Sequence, residues 1–179
     1  MFKRFSVEDS VSGQAPLKSS QQRSIRTQVL KQMPELTPYM DDIMPKKEKL
    51  ILTKCANHIT IVTSPQQSAL FFRERDGPFY PSLKLLHQYP MILPVLRVDT
   101  GAIKHVMNGA DVMIPGICGV EKEELGGKPC AVFASGKEHA VAVGKLLMST
   151  NEIEKKKNGV GIQNLHHLTD GLWKSETLV

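Results

Sequence analysis

Apolar residues recur four apart at Ile25, Val29 and Met33, which predicts a helix with one buried face. Ser19 and Gln22 stand three apart ahead of it and predict a capping box, in which each end of the motif satisfies a free backbone N–H of the first turn. The helix should end at Met33-Pro34, because proline disfavours helical geometry in the residue before it. A second short helix is expected from Thr37, with Pro38 in its first turn and Tyr39, Met40, Ile43 and Met44 on the buried side, stopped by Pro45. Residues 50–55, 58–63 and 69–73 then read as strands. Ala56-Asn57 is short enough for a hairpin loop, and Ser64-Pro65-Gln66-Gln67 suits a longer turn. Asp76-Gly77-Pro78 reads as a turn, and Pro81 opens a helix through Leu83, Leu85 and Leu86. The polar first fifteen residues are expected to form an extended arm or an edge strand.

Tyr89-Pro90-Met91-Ile92-Leu93-Pro94 is bracketed by prolines and reads as a crossing between two domains, residues 1–92 and 93–179. After it, residues 96–98 predict a strand, Asp99 a helix N-cap, and Asn108-Gly109 a left-handed helix stop. Ile103, Val106 and Met107 supply that helix's apolar side. Strands are expected at 112–114, 131–133, 140–147 and 162–168, with Ser135-Gly136 as a turn and Ser149-x-x-Glu152 as a capping box. Many short strands separated by glycine turns indicate a closed barrel. The fold class is therefore α+β: a small α+β domain followed by a β-barrel.

Charge divides the two halves. Residues 1–92 hold 13 Lys and Arg against 8 Asp and Glu, a net +5, whereas residues 93–179 hold 10 of each. A basic half beside a neutral one suggests that the first half meets phosphate or an acidic partner; ordinary solubility charge is the other reading. The neutral half lacks the counterion-release contribution to nucleic-acid affinity and should bind RNA weakly by itself. Cys55, Cys118 and Cys130 are odd in number and far apart, the pattern of a reducing compartment, so a cytoplasmic location is expected. The start of the chain has no apolar core of a secretory signal. No apolar run reaches the roughly 18 residues of a membrane helix; Lys145 interrupts the closest one, residues 140–148.

Candidate chemistry is sparse. Cys55-Ala-Asn-His58 has ligand-like spacing, but no second pair completes a four-ligand zinc site, so the cysteine should be core and the histidine surface. His166 and His167 are adjacent on a strand and point to opposite faces, which prevents them from gripping one ion. Gly159-Val-Gly161 lacks the third glycine of a dinucleotide loop, where Asn164 stands. No catalytic triad, metal centre or cofactor site is expected. Gly109-Ala110 offers a backbone almost free of side-chain bulk, which would let a sugar or phosphate approach main-chain N–H groups, with Lys104 adding a phosphate contact. From these residues alone, glycines that only make barrel turns are the simpler reading.

The run from Val98-Asp99-Thr100-Gly101-Ala102-Ile103-Lys104 through Asn108-Gly109-Ala110-Asp111 to Pro115-Gly116, with Gly159-Val160-Gly161-Ile162 and His166-His167-Leu168-Thr169-Asp170-Gly171-Leu172-Trp173, resembles the PUA domain. The likeness extends further. Met1-Phe2-Lys3-Arg4-Phe5, Ile43-Met44-Pro45-Lys46-Lys47, the run over residues 71–87 and the end over 159–173 resemble the malignant T-cell-amplified sequence family. That resemblance implies a PUA-linked N-terminal domain and a PUA domain. It implies a non-catalytic role in translation: binding the small ribosomal subunit with density-regulated protein, promoting reinitiation, and removing tRNA during subunit recycling. As the chain stops at Val179, it looks like the free-standing form that takes its partner in trans. The resemblance carries over Lys104, Gly109, Ala110, Pro115 and Gly116 as an RNA-facing strip, and Lys46 and Lys47 as a basic ribosome-facing surface. The loop expected over residues 117–129 departs from the family pattern, being shorter and more acidic. Two other readings stand beside this one: an accessory RNA-binding subunit of an RNA-modification complex, and an interaction module whose barrel no longer binds RNA. Ser82, a hydroxyl near a helix start, is a residue to examine for phosphorylation.

Overall fold

The computed structural model describes residues 1–178. Its first half is built on an antiparallel sheet in meander order: β1 (Val11–Pro16), β2 (Ile51–Cys55), β3 (Ile59–Thr63), β4 (Ala69–Glu74) and the short β5 (Tyr80–Pro81). Helix α1 (Val7–Ser10) precedes β1. Helix α2 (Ser19–Gln32) buries Ile25 and Val29 against this sheet, with Met33 buried at its C-cap, so the four-residue spacing located the right face. A 3-10 turn over Pro34–Tyr39 runs into α3 (Met40–Ile43), and α4 (Leu83–Gln88) closes the half.

Several local expectations are corrected. The expected Ser19-x-x-Gln22 box does not form: Lys18 is the N-cap, and only half of a box is present one residue earlier, where Lys18 N donates to Gln21 Oε1 at 3.1 Å. Gln22 is buried instead, and its role is tertiary. The helical segment after α2 begins at Pro34, three residues before Thr37, because proline's fixed φ suits a first turn. The start of the chain is not a loose arm. Within it β1 does form an edge strand, but Phe2 is fully buried, with its ring edge-on to Phe72 and to His166. Ser82 is 2 % exposed, donates to the Ala69 carbonyl and caps α4, so a kinase cannot reach its hydroxyl in this fold.

The second half forms a six-stranded sheet. It comprises β6 (Val95–Val98), β7 (Val112–Met113), β8 (Ile117–Val120), β9 (Pro129–Ala134), β10 (Ala140–Leu146) and β11 (Val160–His167), in the order β7-β11-β10-β9-β6-β8. Its two edge strands, β7 and β8, are consecutive in the chain and joined by the 3-10 turn Ile114–Gly116, so the sheet curls toward closure. Strand β8 lies within the stretch expected to be a loop. Its signal was short and interrupted by Gly119, and pairing with β6 supplies what propensity does not. Helix α5 (Thr100–Met107) is capped by Asp99, whose carboxylate accepts Ala102 N at 2.8 Å. Helix α6 (Thr150–Lys155) starts at the expected Ser149–Glu152 box. Helix α7 (Gly171–Lys174) follows β11.

One buried cluster runs through both halves, joining Phe2, Phe71, Phe72 and Leu86 to Phe133, Val143, Leu165 and Leu172. Polar ties reinforce it: His87 Nε2 lies 2.8 Å from the Ala140 carbonyl, and Lys84 Nζ donates to the Ser175 carbonyl at 2.8 Å. Among the described residues, no helix is long and apolar enough to cross a membrane.

Candidate nucleic-acid interface

Helix α5 and strand β7 frame an open groove of about 340 Å³. Gly101, Ala102, His105 and Val106 line it from the helix, and Val112, Met113, Pro115 and Gly116 from the strand and the following turn. Gly101 and Ala102 add little bulk on the helix side, and Met113 is 51 % exposed at the lip. Two carboxylates border the groove, and both are already engaged. Asp99 caps α5, and Asp111 Oδ1 accepts Asn164 N at 2.9 Å. Both remain exposed and the rest of the lining is mainly apolar, so this is a surface for a base or ribose more than for a phosphate.

The structure divides the expected strip. Pro115 and Gly116 line the groove. Ala110 is exposed at its end, next to Asp111. Lys104 is exposed on α5, one position before His105, and lies outside the lining. Gly109 has φ +82°, as its place after Asn108 predicted. Its open side, however, faces inward: an added Cβ would stand 2.9 Å from His167 Nε2. Close packing, not ligand access, explains this glycine.

Asn164 is the residue the sequence did not reveal. Buried on β11, it donates from Nδ2 to the Val106 carbonyl at 2.9 Å and the Ala110 carbonyl at 3.0 Å, while its N–H takes Asp111. One side chain therefore fixes the end of α5 to the start of β7. The available signal was strand alternation, which puts Asn164 on the same face as the apolar Ile162, a position that requires buried partners.

His166 and Asp170 form a buried pair with Nδ1 to Oδ2 at 2.7 Å. Asp170 also accepts His167 N at 3.0 Å and Trp173 N at 2.9 Å, capping α7. Burial holds the His166 imidazole below its ordinary pKa, with Asp170 pulling the other way. Burial would raise the Asp170 carboxyl, but its bonds from His166 and the two backbone N–H groups leave it below the usual range. Both side chains are within 1 % of full burial, so no substrate reaches this dyad and its work is structural. His58 is exposed and Cys55 buried, with burial pushing the Cys55 thiol up to about 11.

On the first half, Lys46 and Lys47 are exposed on the loop after α3. Lys46 lies 3.5 Å from Asp41, which Arg26 also engages. That shared carboxylate reduces the charge Lys46 offers, and Lys47 and Lys49 carry the positive face of the loop.

A family model described as Pre-PUA-like domain matches residues 5–90, and one described as PUA domain matches residues 94–168. Malignant T-cell-amplified sequence 1 of Danio rerio is 44% identical over 184 residues, covering 99% of each chain. Malignant T-cell-amplified sequence 2 of Homo sapiens is 44% identical over 180 residues, again covering 99% of each. A hypothetical protein of Pyrococcus horikoshii shares the fold with a TM-score of 0.76 at 24% identity, over 90% of this chain and 98% of that one. A PUA-domain protein of Aeropyrum pernix gives 0.72 at 25% identity, over 90% and 89%.

Proposed function

The chain belongs to the malignant T-cell-amplified sequence family, and on that premise we propose that it is a non-catalytic, RNA-binding translation factor. In this reading it acts in the cytoplasm on the small ribosomal subunit, with density-regulated protein as partner, and serves reinitiation and the removal of tRNA during recycling. The division of labour falls at the proline-bracketed crossing after Ile92. The basic half supplies long-range attraction to ribosomal RNA through the loop bearing Lys46 and Lys47, and the PUA half grips an RNA end.

The observation that carries this reading is the α5–β7 groove. It is open and mainly apolar, it carries the small residues Gly101 and Ala102 on its helix side, and each of its two carboxylates accepts a backbone N–H. An unpaired nucleoside of a tRNA acceptor end fits that chemistry, the base against Val112, Met113 and Pro115 and the sugar-phosphate passing Ala110 and Lys104.

Ala110→Glu is the direct test, since Ala110 is exposed and has no conformational duty. The variant should melt at the native temperature, co-sediment with small subunits in the presence of density-regulated protein, and lose tRNA-dependent activity. A folded variant with native tRNA handling would remove the acceptor end from this groove.

A further inference from the structure

We propose that the hairpin end of the five-stranded sheet is a second RNA site, a cationic groove that takes the phosphates and one unpaired base of a single strand. The groove measures about 610 Å³ and is lined by Lys54, Asn57, His58, Thr60, Arg73 and Arg75, among others, with Asp76 as the one carboxylate in its lining. It lies on the first half and shares no lining residue with the α5–β7 groove.

Strand register builds it. Gly13, Lys54, Thr60 and Arg73 are cross-strand partners in one row over β1 to β4. Lys54 and Arg73 are two strands apart, roughly 10 Å at the usual strand spacing, and so address different phosphates. Gly13 leaves the β1 end of the row open, where an added Cβ would meet nothing within 4 Å. Among the described residues, none of Lys54, Arg73 and Arg75 is in an ion pair.

Two further features set this place apart. Thr60 Oγ1 and Arg73 Nε are buried without a hydrogen-bond partner, two unsatisfied polar atoms under one groove. Asn57, His58 and Arg75 all have left-handed backbones, with φ of 59°, 59° and 51°. Arg75 N donates to the His58 carbonyl at 2.9 Å, which locks the hairpin against the end of β4 and fixes Arg75 at the groove mouth. Arginine gains nothing locally from that conformation, and such outliers persist where surrounding structure holds them for a purpose.

The arginine geometry favours RNA over an acidic peptide. The Arg73 guanidinium lies over the Phe79 ring at 4.8 Å, which holds it flat, the arrangement in which an arginine plane stacks on a base. A carboxylate would seek the Nε–Nη edge of the fork, and Nε is buried.

The proposal rests on the RNA-binding reading above but concerns a different surface, so its test separates the two. Binding of the full chain to a short fluorescein-labelled oligouridine is followed by anisotropy across a salt series. K54Q/R75N removes two exposed charges, asparagine being chosen because it tolerates the left-handed backbone at position 75. Affinity should fall roughly tenfold and the log–log salt slope by about 1.4, two contacts at about 0.7 each for a single strand. In the native chain, the Thr60 and Arg75 amide resonances should shift on adding the oligonucleotide. Native affinity in K54Q/R75N, with loss in Ala110→Glu, would overturn the second site and leave the first reading standing. No binding by the native chain would overturn both. Displacement of the RNA by poly-glutamate as readily as by unlabelled oligouridine would assign the groove to an acidic partner and overturn the proposal.

Discussion

Asp170 shows how much a single buried carboxylate can organise. It receives an imidazole and two backbone N–H groups, closing β11 onto α7, while Phe2 packs against the same imidazole. The pair also sets a pH dependence whose sign follows from the directions of the shifts. His166 stays neutral in the fold below its ordinary value of 6.5, whereas the unfolded chain takes up a proton there. The unfolded state thus binds more protons, and stability is lost as pH falls below about 6.5. This one group contributes at most about 1.4 kcal/mol per pH unit. Asp170, depressed below 3.8, adds a second loss only in strong acid. Urea midpoints at pH 7.5 and 5.5 should differ in the native chain, and the difference should shrink in His166→Gln. An equal pH dependence in both proteins would assign the effect to other histidines. At this scale the sequence was partly readable. The positive φ of Gly109 followed from its place after Asn108, but not the histidine packed against it, because contacts between distant strands leave no periodic trace.

At the scale of elements, hydrophobic period located helices and strands well and failed where a polar side chain works across the chain. Gln22 is the clearest case. It occupies the position of a cap partner, yet its Nε2 donates to the Pro45 carbonyl at 2.7 Å and the Glu48 carbonyl at 3.0 Å, while Oε1 faces Leu50 N at 3.5 Å. The loop bearing Lys46, Lys47 and Lys49 is therefore stapled to the first turns of α2. Gln22→Leu keeps the volume and the net charge but leaves those carbonyls unpaired, at a cost of about 2 kcal/mol. Amide exchange over residues 45–50 should accelerate, and RNA affinity should weaken without any change of charge. Unchanged exchange would mean that the loop is held by other contacts, with Arg26 to the Met40 carbonyl the first to examine. Strand β8 was missed for a different reason. Four residues with a central Gly119 carry too little β-propensity to announce an edge strand that tertiary pairing then creates.

The whole molecule is more unified than its division of charge suggests. A basic half and a neutral half read as two modules, and the proline-bracketed crossing is where a linker belongs. Yet the core is continuous: Phe2, Phe72 and Leu86 from one side meet Phe133, Val143, Leu165 and Leu172 from the other. Gly171 shows how closely the parts fit, since an added Cβ would collide with the Phe5 carbonyl oxygen. A fragment starting near Leu93 would expose that shared surface, so weak RNA binding by it would reflect poor folding as much as neutral charge. The informative experiment keeps the chain whole. Phe2→Ala removes a fully buried ring from the seam and should cost about 3–5 kcal/mol. If the halves form one cooperative unit, the slowest-exchanging amides of β3 and β10 should lose protection by the same amount, and Trp173 fluorescence and far-UV dichroism should report a single shared transition. Protection lost in one sheet and kept in the other would show two folding units joined at a seam. The α5–β7 groove and the hairpin groove would then be free to reorient, and an RNA could not be held across both at a fixed distance.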